Sequence, residues 1–193
     1  MAINIAIFAS GSGTNAEQLI KHFDQVDGIS INAVFCNKPD AYVIERAKKL
    51  NVLPFVFNKS EFADTSFVDK LKSLKTDFIV LAGFLWKIPD FLIQEFPNKI
   101  INIHPALLPA YGGKGMYGSR VHEAVINNKE SNSGITIHLV NENYDEGHIL
   151  FQASCEISSD DTPDSLAGKI HQLEHQYFPL IVEDYITEYT SKN

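Results

Sequence analysis

A side-chain amide and an imidazole stand two residues apart near the middle of the chain, at Asn102 and His104. The apolar run 100–103 predicts a short buried strand that ends at His104, because Pro105 lacks the N–H that a longer strand would use. Residues two apart on a strand point to the same side. The pattern therefore joins a hydrogen-bond donor to a titratable group at the carboxyl end of a strand, where open α/β sheets bind ligands. The alternative is an ordinary strand end whose polar groups meet water.

A second pattern lies near the N-terminus, where the apolar run 3–9 precedes the glycine-rich stretch 10–15. A strand, a glycine-rich turn and a helix start together form an anion site, because backbone N–H groups converge there and the helix dipole favours negative charge. Gly11, Gly13 and Ala16 also satisfy the dinucleotide fingerprint G-x-G-x-x-G/A. The turn therefore fits a dinucleotide, a single phosphate or no ligand at all.

The second apolar run helps to choose between these ligands. It covers residues 31–36 and ends in Asn37-Lys38, whereas a dinucleotide site usually has an acidic residue at this point to bind a ribose. No Gly-Lys-Ser/Thr follows the turn, which argues against a triphosphate loop. We therefore expect the turn to bind one phosphate group rather than NAD(P).

Composition limits the class of protein. The 193 residues suit one domain with a substantial core, and the formal charge of −8 disfavours nucleic-acid binding. The N-terminus lacks the basic region of a signal peptide, and no apolar run reaches membrane-spanning length. Cys36 and Cys155 form no C-x-x-C motif, so we expect two buried free thiols and a cytoplasmic protein.

Apolar runs and amphipathic stretches alternate along the first half of the chain. Strands are predicted at 52–57 and 78–82, and helices at 41–50 and 61–74. The alternation predicts an α/β protein with a doubly wound, mostly parallel sheet and helices on both faces.

Two loops follow predicted strands at the ligand-binding edge of the sheet. Residues 83–89 carry Phe84, Leu85 and Trp86, which suit either a lid on the core or a platform for a flat ring. Residues 110–118 contain four glycines, and loops of this length in compact domains are typically functional or mobile.

The last third of the chain adds a predicted helix at 120–127 and predicted strands at 133–140 and 149–157. Polar and apolar residues alternate in 133–140, which predicts a half-exposed strand. The acidic stretch 141–147 forms a turn between these two strands.

The C-terminal segment opens with two helix-start signals, Thr162 as N-cap and Pro163 at the first helical position. We expect Pro179 to bend or interrupt this helix. Residues 171–175 match H-x-x-E-H, a zinc motif of metallopeptidases, but nothing downstream supplies an obvious third ligand. We therefore expect no metal and a helix face that uses these groups for hydrogen bonds.

Taken together, these patterns resemble the glycinamide ribonucleotide formyltransferases, the folate-dependent enzymes of purine synthesis. The resemblance covers essentially the whole chain and rests on motifs that occur in the same order. They are Gly11-Ser-Gly-Thr-Asn15, Leu81-Ala-Gly-Phe84, Asn102-Ile-His-Pro-Ala-Leu-Leu-Pro109, and Gly134 followed by Asp145-x-Gly147. The resemblance implies a single formyltransferase domain over 1–193 with a Rossmann-like fold. Its N-terminal half would bind the nucleotide phosphate and its C-terminal half the folate.

The same resemblance implies transfer of a formyl group from the co-substrate 10-formyltetrahydrofolate to the amine of glycinamide ribonucleotide. Asn102 and a protonated His104 would then donate hydrogen bonds to the oxyanion of the tetrahedral intermediate. Asp145 would favour the imidazolium by charge pairing and would take protons from the amine, directly or through a water. The alternative is a structural role for His104, with Asp145 as a loop cap.

The resemblance also assigns residues to substrate binding. The phosphate would be bound by Gly11, Ser12, Gly13, Thr14 and Asn15. Glu174 would bind polar groups of the nucleotide. The folate would contact Leu85, Trp86, Lys87, Ile88, Asn102, Asn141 and Tyr144, largely through backbone groups. Many relatives have Met-Arg at 85–86 and some have an arginine near 64–67, and this chain has neither.

Three other functions fit parts of the pattern. The same scaffold serves formyltransferases with other amine acceptors, although the net charge of −8 disfavours a tRNA. A non-catalytic NAD(P)-binding module would use the turn 10–15 alone, and a metallopeptidase would use 171–175. The expected partners are small-molecule substrates, with no nucleic acid, no membrane, and a monomeric or homodimeric protein.

Overall fold

The computed structural model describes residues 2–192, in which strands and helices alternate. The strands are β1 (Ile3–Ala9), β2 (Ile29–Cys36), β3 (Leu53–Val56), β4 (Phe78–Leu81), β5 (Ile100–His104), β6 (Asn132–Leu139) and β7 (Ile149–Glu156). The helices are α1 (Thr14–Phe23), α2 (Val43–Lys49), α3 (Lys59–Ala63), α4 (Phe67–Ser73), α5 (Asp90–Glu95), α6 (Ser119–Asn127) and α7 (Pro163–Lys192). The strand order is β3-β2-β1-β4-β5-β6-β7. The predicted α/β class and mostly parallel sheet are confirmed, with β6 and β7 as an antiparallel pair.

The chain divides into two compact units, the first ending at Ile101 and the second beginning at Asn102. In the first unit β1 pairs in parallel with both β2 and β4, and β2 pairs in parallel with β3. The side chains from Ile5 to Ala9 are fully buried. A strand with neighbours on both sides and both faces covered leaves no position for a polar side chain, which explains why β1 is apolar without a break from Ile5 to Ala9 and has its one polar residue, Asn4, near its half-buried start.

Aromatic side chains fill much of the core of the first unit. The rings of Phe8 and Phe84 lie 5.4 Å apart, centroid to centroid, and those of Phe62 and Trp86 lie 5.9 Å apart. Phe84 and Trp86 are both half-buried. Their contacts favour the first of the two interpretations of this loop, a lid on the core.

The second unit contains the antiparallel pair β6 and β7. The pairing brings Gly134 opposite Ser154, and a Cβ at position 134 would lie only 2.0 Å from the carbonyl oxygen of Ala153. All residues of β6 from Ser133 to Leu139 are buried. The prediction of a half-exposed strand is therefore wrong, because the side chains of Thr136 and His138 form hydrogen bonds inside the fold rather than with water.

The prediction of one long helix at 61–74 is also wrong, since the chain forms the two short helices α3 and α4 there. Asn58 and Glu61 form a capping box that starts α3. Asp64 then adopts an extended conformation and ends it. The Asp64 carboxylate accepts a hydrogen bond from the Ser66 N–H, which turns the chain into α4. Other predicted bounds, such as 41–50 and 52–57, differ from the observed α2 and β3 by one or two residues at an end.

Helix α7 begins as predicted. The Thr162 hydroxyl accepts a hydrogen bond from the Ser165 N–H, and the Ser165 hydroxyl accepts one from the Thr162 N–H. Pro179 lies inside a helix that continues to Lys192, so the prediction that the helix is interrupted at this residue is wrong. Pro179 removes one backbone bond, but Phe178 and Val182 beside it are fully buried, and this packing holds the helix together.

Two further sequence expectations concern thiols and membranes. Cys36 and Cys155 are free as predicted, but only Cys36 is buried, because Cys155 lies on the outer strand β7 and is half-buried. Across residues 2–192, no helix has both the length and the apolar composition that crossing a membrane would require.

Candidate active site

The glycine-rich turn 10–15 joins the carboxyl end of β1 to the start of α1. Gly13 caps α1 in the left-handed conformation, with φ of 78°. The turn is held from α2, because Arg46 donates a hydrogen bond to the Ser12 carbonyl oxygen (2.9 Å) and the Val43 N–H donates to that of Gly11 (3.2 Å). Arg46 also forms an ion pair with Glu17 in the first turn of α1. The turn is thus a rigid frame that presents a helix N-terminus, as an anion site requires.

Gly13→Ala tests this frame. A Cβ at position 13 would lie 2.3 Å from Val43 Cγ2 and 2.8 Å from Val43 Cα, in a conformation that favours glycine. We expect the free energy of unfolding to fall by about 1–3 kcal/mol, because both strain and overlap must be relieved. Chemical denaturation measures this loss. Gly11→Ala is the stability control, since a Cβ there meets nothing within 4 Å; an equal loss in both variants would contradict the argument.

The end of β5 carries the predicted amide and imidazole. Asn102 is half-buried, and its side-chain nitrogen lies 3.1 Å from Nε2 of His138. His138 Nδ1 lies 2.8 Å from the Leu139 carbonyl oxygen, which only accepts, so Nδ1 carries the proton and Nε2 accepts from Asn102. His138 therefore fixes the orientation of the Asn102 amide and leaves its second N–H for another acceptor.

His104 is also held by a carbonyl group. Its Nε2 lies 2.8 Å from the Tyr111 carbonyl oxygen, so Nε2 carries a proton and donates. Its Nδ1 lies 3.6 Å from Asp145 Oδ2. In the neutral ring, Nδ1 is then unprotonated and able to accept a proton beside a carboxylate.

The expectation of a protonated His104 is not supported. The side chain is only 4% exposed, and this burial lowers the pKa of His104 below its ordinary value. Asp145 acts in the opposite direction, as expected from the sequence, and so does the bond to the Tyr111 carbonyl. Burial has the larger effect, because the hydration free energy that an imidazolium loses is greater than the attraction of one partly buried carboxylate. His104 is accordingly neutral near pH 7.

Asp145 lies between the two histidines. Its Oδ2 accepts a hydrogen bond from the Gly113 N–H (2.9 Å), and its Oδ1 lies 3.7 Å from His138 Nε2. Burial by itself raises the pKa of this carboxyl, but positive charge on His138 or His104 and the hydrogen bond from the Gly113 N–H bring the pKa below its usual value. Asp145 is therefore charged near neutral pH and able to stabilise a positive charge beside it.

A buried network fixes the segment that follows His104. The Thr136 hydroxyl donates to the Ala106 carbonyl oxygen (2.7 Å) and accepts from the Leu108 N–H (3.0 Å). Gln152 bonds both the Thr136 hydroxyl and the Leu108 carbonyl oxygen. These bonds link β6 and β7 to the residues after β5, so the position of His104 depends on non-local contacts.

Sequence reasoning missed His138 and Thr136 as parts of the site. Both lie on β6 two residues apart, so they share one face of the strand. Their alternation with isoleucines predicts one polar face of β6, and this pattern is the same whether water or protein covers that face. Polar side chains on one face of a strand next to the predicted Asn102 and His104 were the signal for a buried network.

The other predicted binding residues divide between the units. Leu85, Trp86, Lys87 and Ile88 follow β4 in the first unit, and Ile88 is buried. Asn102, Asn141, Tyr144 and Glu174 belong to the second unit. Glu174 lies on α7 and is only 6% exposed, whereas Tyr144 is 39% exposed.

The H-x-x-E-H residues lie along α7. The rings of His171 and His175 are stacked with centroids 6.2 Å apart. Among residues 2–192, no three or more His, Cys, Asp or Glu side chains are grouped so that they could hold a metal ion.

The chain has a Rossmann-like, mostly parallel α/β sheet with a glycine-rich turn after β1, an amide and an imidazole on β5, and a carboxylate in the turn after β6. The chain belongs to the formyl transferase family, whose sequence profile matches residues 3–182.

Individual relatives make the comparison more specific. The chain is 40% identical over 188 residues to the chloroplastic phosphoribosylglycinamide formyltransferase of Arabidopsis thaliana, covering 92% of this chain and 63% of that protein. It is 36% identical over 185 residues to phosphoribosylglycinamide formyltransferase of Bacillus subtilis, covering 92% of each chain. The crystal structure of phosphoribosylglycinamide formyltransferase from Bacillus halodurans superposes with a TM-score of 0.87 at 32% identity, covering 96% of each chain. The chain thus spans less than two thirds of the Arabidopsis relative.

Proposed function

We propose that this protein transfers the formyl group of 10-formyltetrahydrofolate to the amine of glycinamide ribonucleotide, giving N-formylglycinamide ribonucleotide and tetrahydrofolate. One observation carries the proposal most directly: Asn102, His104 and Asp145 lie together, with His104 Nδ1 3.6 Å from the carboxylate of Asp145. Amide donor, titratable imidazole and carboxylate are the groups that acyl transfer to an amine requires. The relatives described above bear the name of this activity.

Asn102 stabilises the oxyanion in this mechanism. As the amine nitrogen forms a bond to the formyl carbon, the carbonyl π electrons move to its oxygen, which becomes negatively charged. The second N–H of Asn102 donates to this oxygen, while the first is held by His138 at 3.1 Å. A donor that is fixed before the reaction stabilises the charge without reorganisation, which is worth about 10²–10³ in rate.

His104 and Asp145 handle the proton. The attacking amine must lose a proton after the bond to carbon forms, and the neutral Nδ1 of His104 accepts it, directly or through a water. The resulting imidazolium keeps its Nε2–H on the Tyr111 carbonyl, while its new Nδ1–H, beside the Asp145 carboxylate, donates toward the oxyanion. The intermediate collapses when the carbonyl group forms again and the bond from carbon to the folate nitrogen breaks, and that nitrogen takes up the proton from His104 Nδ1, which returns the ring to its neutral form. His104 thus becomes charged during the reaction rather than before it.

The binding assignments belong to the same proposal. Residues 11–15 bind the phosphate of glycinamide ribonucleotide, with Gly13 at the N-terminus of α1. Glu174 binds polar groups of the nucleotide. Residues 85–88, together with Asn102, Asn141 and Tyr144, bind the folate. The chain acts as one formyltransferase domain with small-molecule partners, in the cytoplasm, as a monomer or a homodimer.

The test is formyl transfer by the wild-type protein with both substrates, followed by release of tetrahydrofolate. Turnover with glycinamide ribonucleotide supports the proposal. Folate binding without turnover of this acceptor would mean that the scaffold acts on another amine. Thermal stabilisation by NAD(P) but not by folate would instead indicate a dinucleotide-binding module and would overturn the proposal.

A further inference from the structure

Tyr111 makes two kinds of contact that no step of the proposed mechanism uses. Its side-chain hydroxyl donates a hydrogen bond to Glu130 Oε1 (2.6 Å) and accepts one from the Asn128 side-chain nitrogen (2.9 Å). Its main-chain carbonyl accepts from His104 Nε2 at 2.8 Å. One residue therefore joins the surface contacts after α6 to the imidazole at the end of β5.

The backbone of Tyr111 needs this support. Its φ is 57°, a left-handed conformation that is uncommon for a residue with a Cβ and persists where surrounding contacts stabilise it. Two residues later, the Gly113 N–H donates to Asp145 Oδ2 at 2.9 Å. The turn 111–113 thus contacts both members of the His104–Asp145 pair, and the phenol anchors it at its start.

We propose that Tyr111, Glu130 and Asn128 form a phenol latch that fixes the tautomer of His104. The latch holds the Tyr111 carbonyl in place, and that carbonyl accepts a hydrogen bond from the Nε2–H of His104. Nδ1 then keeps its lone pair toward Asp145, ready to accept the proton of the amine. The latch residues act through His104 and are positioning residues; their catalytic importance rests on the proposed function.

The competing tautomer explains why a latch is useful. If the Tyr111 carbonyl moves away, the proton of the neutral ring is more stable on Nδ1, where it donates to the Asp145 carboxylate 3.6 Å away. In that tautomer Nδ1 no longer accepts a proton. A hydrogen bond at the protein surface therefore decides which of the two ring tautomers the site contains.

The groups that act on the charge of His104 are known. Asp145 and the Tyr111 carbonyl raise its pKa, and the neighbouring His138 lowers it. Burial lowers the pKa of His122 on α6, and His171 and His104 lower it further, so His122 also lies near His104. A looser latch removes one of the two stabilising contacts, so the pKa of His104 falls further.

The decisive variant is Tyr111→Phe, which removes the hydroxyl and keeps the ring. Tyr117→Phe is the matched control, because it makes the same change in the same loop at a side chain that is 40% exposed. Glu130→Ala and Glu130→Gln form a second pair, since glutamine keeps an acceptor for the phenol. This pair keeps the inference testable if Tyr111→Phe fails to fold.

The first readout needs no activity. Nitrogen-15 NMR of the imidazole rings, with His104 assigned by its absence in His104→Ala, distinguishes the two tautomers. We expect the Nε2–H form in wild type, Tyr117→Phe and Glu130→Gln. We expect a measurable Nδ1–H population and a lower His104 pKa in Tyr111→Phe and Glu130→Ala. Unchanged His104 spectra in both latch variants would overturn the inference.

The second readout is the rate. We expect kcat to fall about 3- to 10-fold in Tyr111→Phe and Glu130→Ala, with less than about a twofold change in KM, because an exposed hydrogen bond contributes modestly and the latch touches no substrate. A rise in KM without a fall in kcat would contradict a positioning role. A wild-type protein that shows the Nε2–H tautomer but no formyl transfer would instead contradict the proposed function and leave the latch intact.

Discussion

Replacing His104 with alanine is expected to lower kcat for formyl transfer by about 10²–10³-fold, the loss typical of a residue that transfers a proton or stabilises an oxyanion. The side chain is buried and bonded at Nε2. Alanine leaves the volume of the ring empty and removes the proton acceptor Nδ1. Single-turnover kinetics with saturating substrates separate this loss from changes in binding.

His148→Ala is the control for this variant. His148 is an exposed histidine in the same unit, and it is joined to β6 through its backbone carbonyl, which accepts a hydrogen bond from the Leu139 N–H and is kept in the variant. The substitution should leave kcat within about twofold of the wild type, as surface changes usually do. If His104→Ala retained full activity with an intact fold, the assignment of the proton acceptor would be wrong.

Replacing Asp145 with asparagine is expected to lower kcat by about 10²–10³-fold, because the amide keeps the shape but loses the charge that stabilises an imidazolium at His104. Asp145 is the group that raises the pKa of His104 against the effect of burial. Without it, the pKa of His104 falls further. The acid limb of the kcat/KM profile, where His104 becomes protonated and stops accepting a proton, should therefore move to lower pH while the plateau falls.

Glu146→Gln provides the matched control for the charge. Glu146 is the next residue in the turn and is exposed, so its replacement removes one negative charge from the same region. Exposed charges are screened by water and salt, and the acid limb should not move measurably. An acid limb that moved to higher pH in Asp145→Asn would contradict the role of this carboxylate.

Local patterns were sufficient to predict much of this protein. The nearly continuous apolar run of β1 and the glycines after it predicted a parallel strand and a tight turn, because such a strand has few solvent-facing positions and glycine readily adopts the φ of 78° at Gly13. The spacing of Asn102 and His104 placed both at the end of β5, because strand geometry repeats every two residues. Thr162 and Ser165 likewise capped α7 through bonds between near neighbours.

The tertiary structure decided what depends on contacts between distant residues. His138 orients Asn102 from 36 residues away, and Thr136 bonds Leu108 from 28 residues away. Such partners are chosen by sheet pairing, which the sequence pattern of one strand does not contain. The alternation in β6 therefore indicated a polar face without showing whether water or protein would satisfy it.

The charge of His104 is the clearest example of a property that depends on the tertiary structure. Sequence alone identified Asp145 as its partner and suggested an imidazolium, because opposite charges attract. The structure buries the ring to 4% exposure and holds Nε2 on the Tyr111 carbonyl, so desolvation outweighs the carboxylate and the neutral tautomer is selected. The residue types in the chain determined which groups meet at this site, and packing around them determined their charge and the position of the proton.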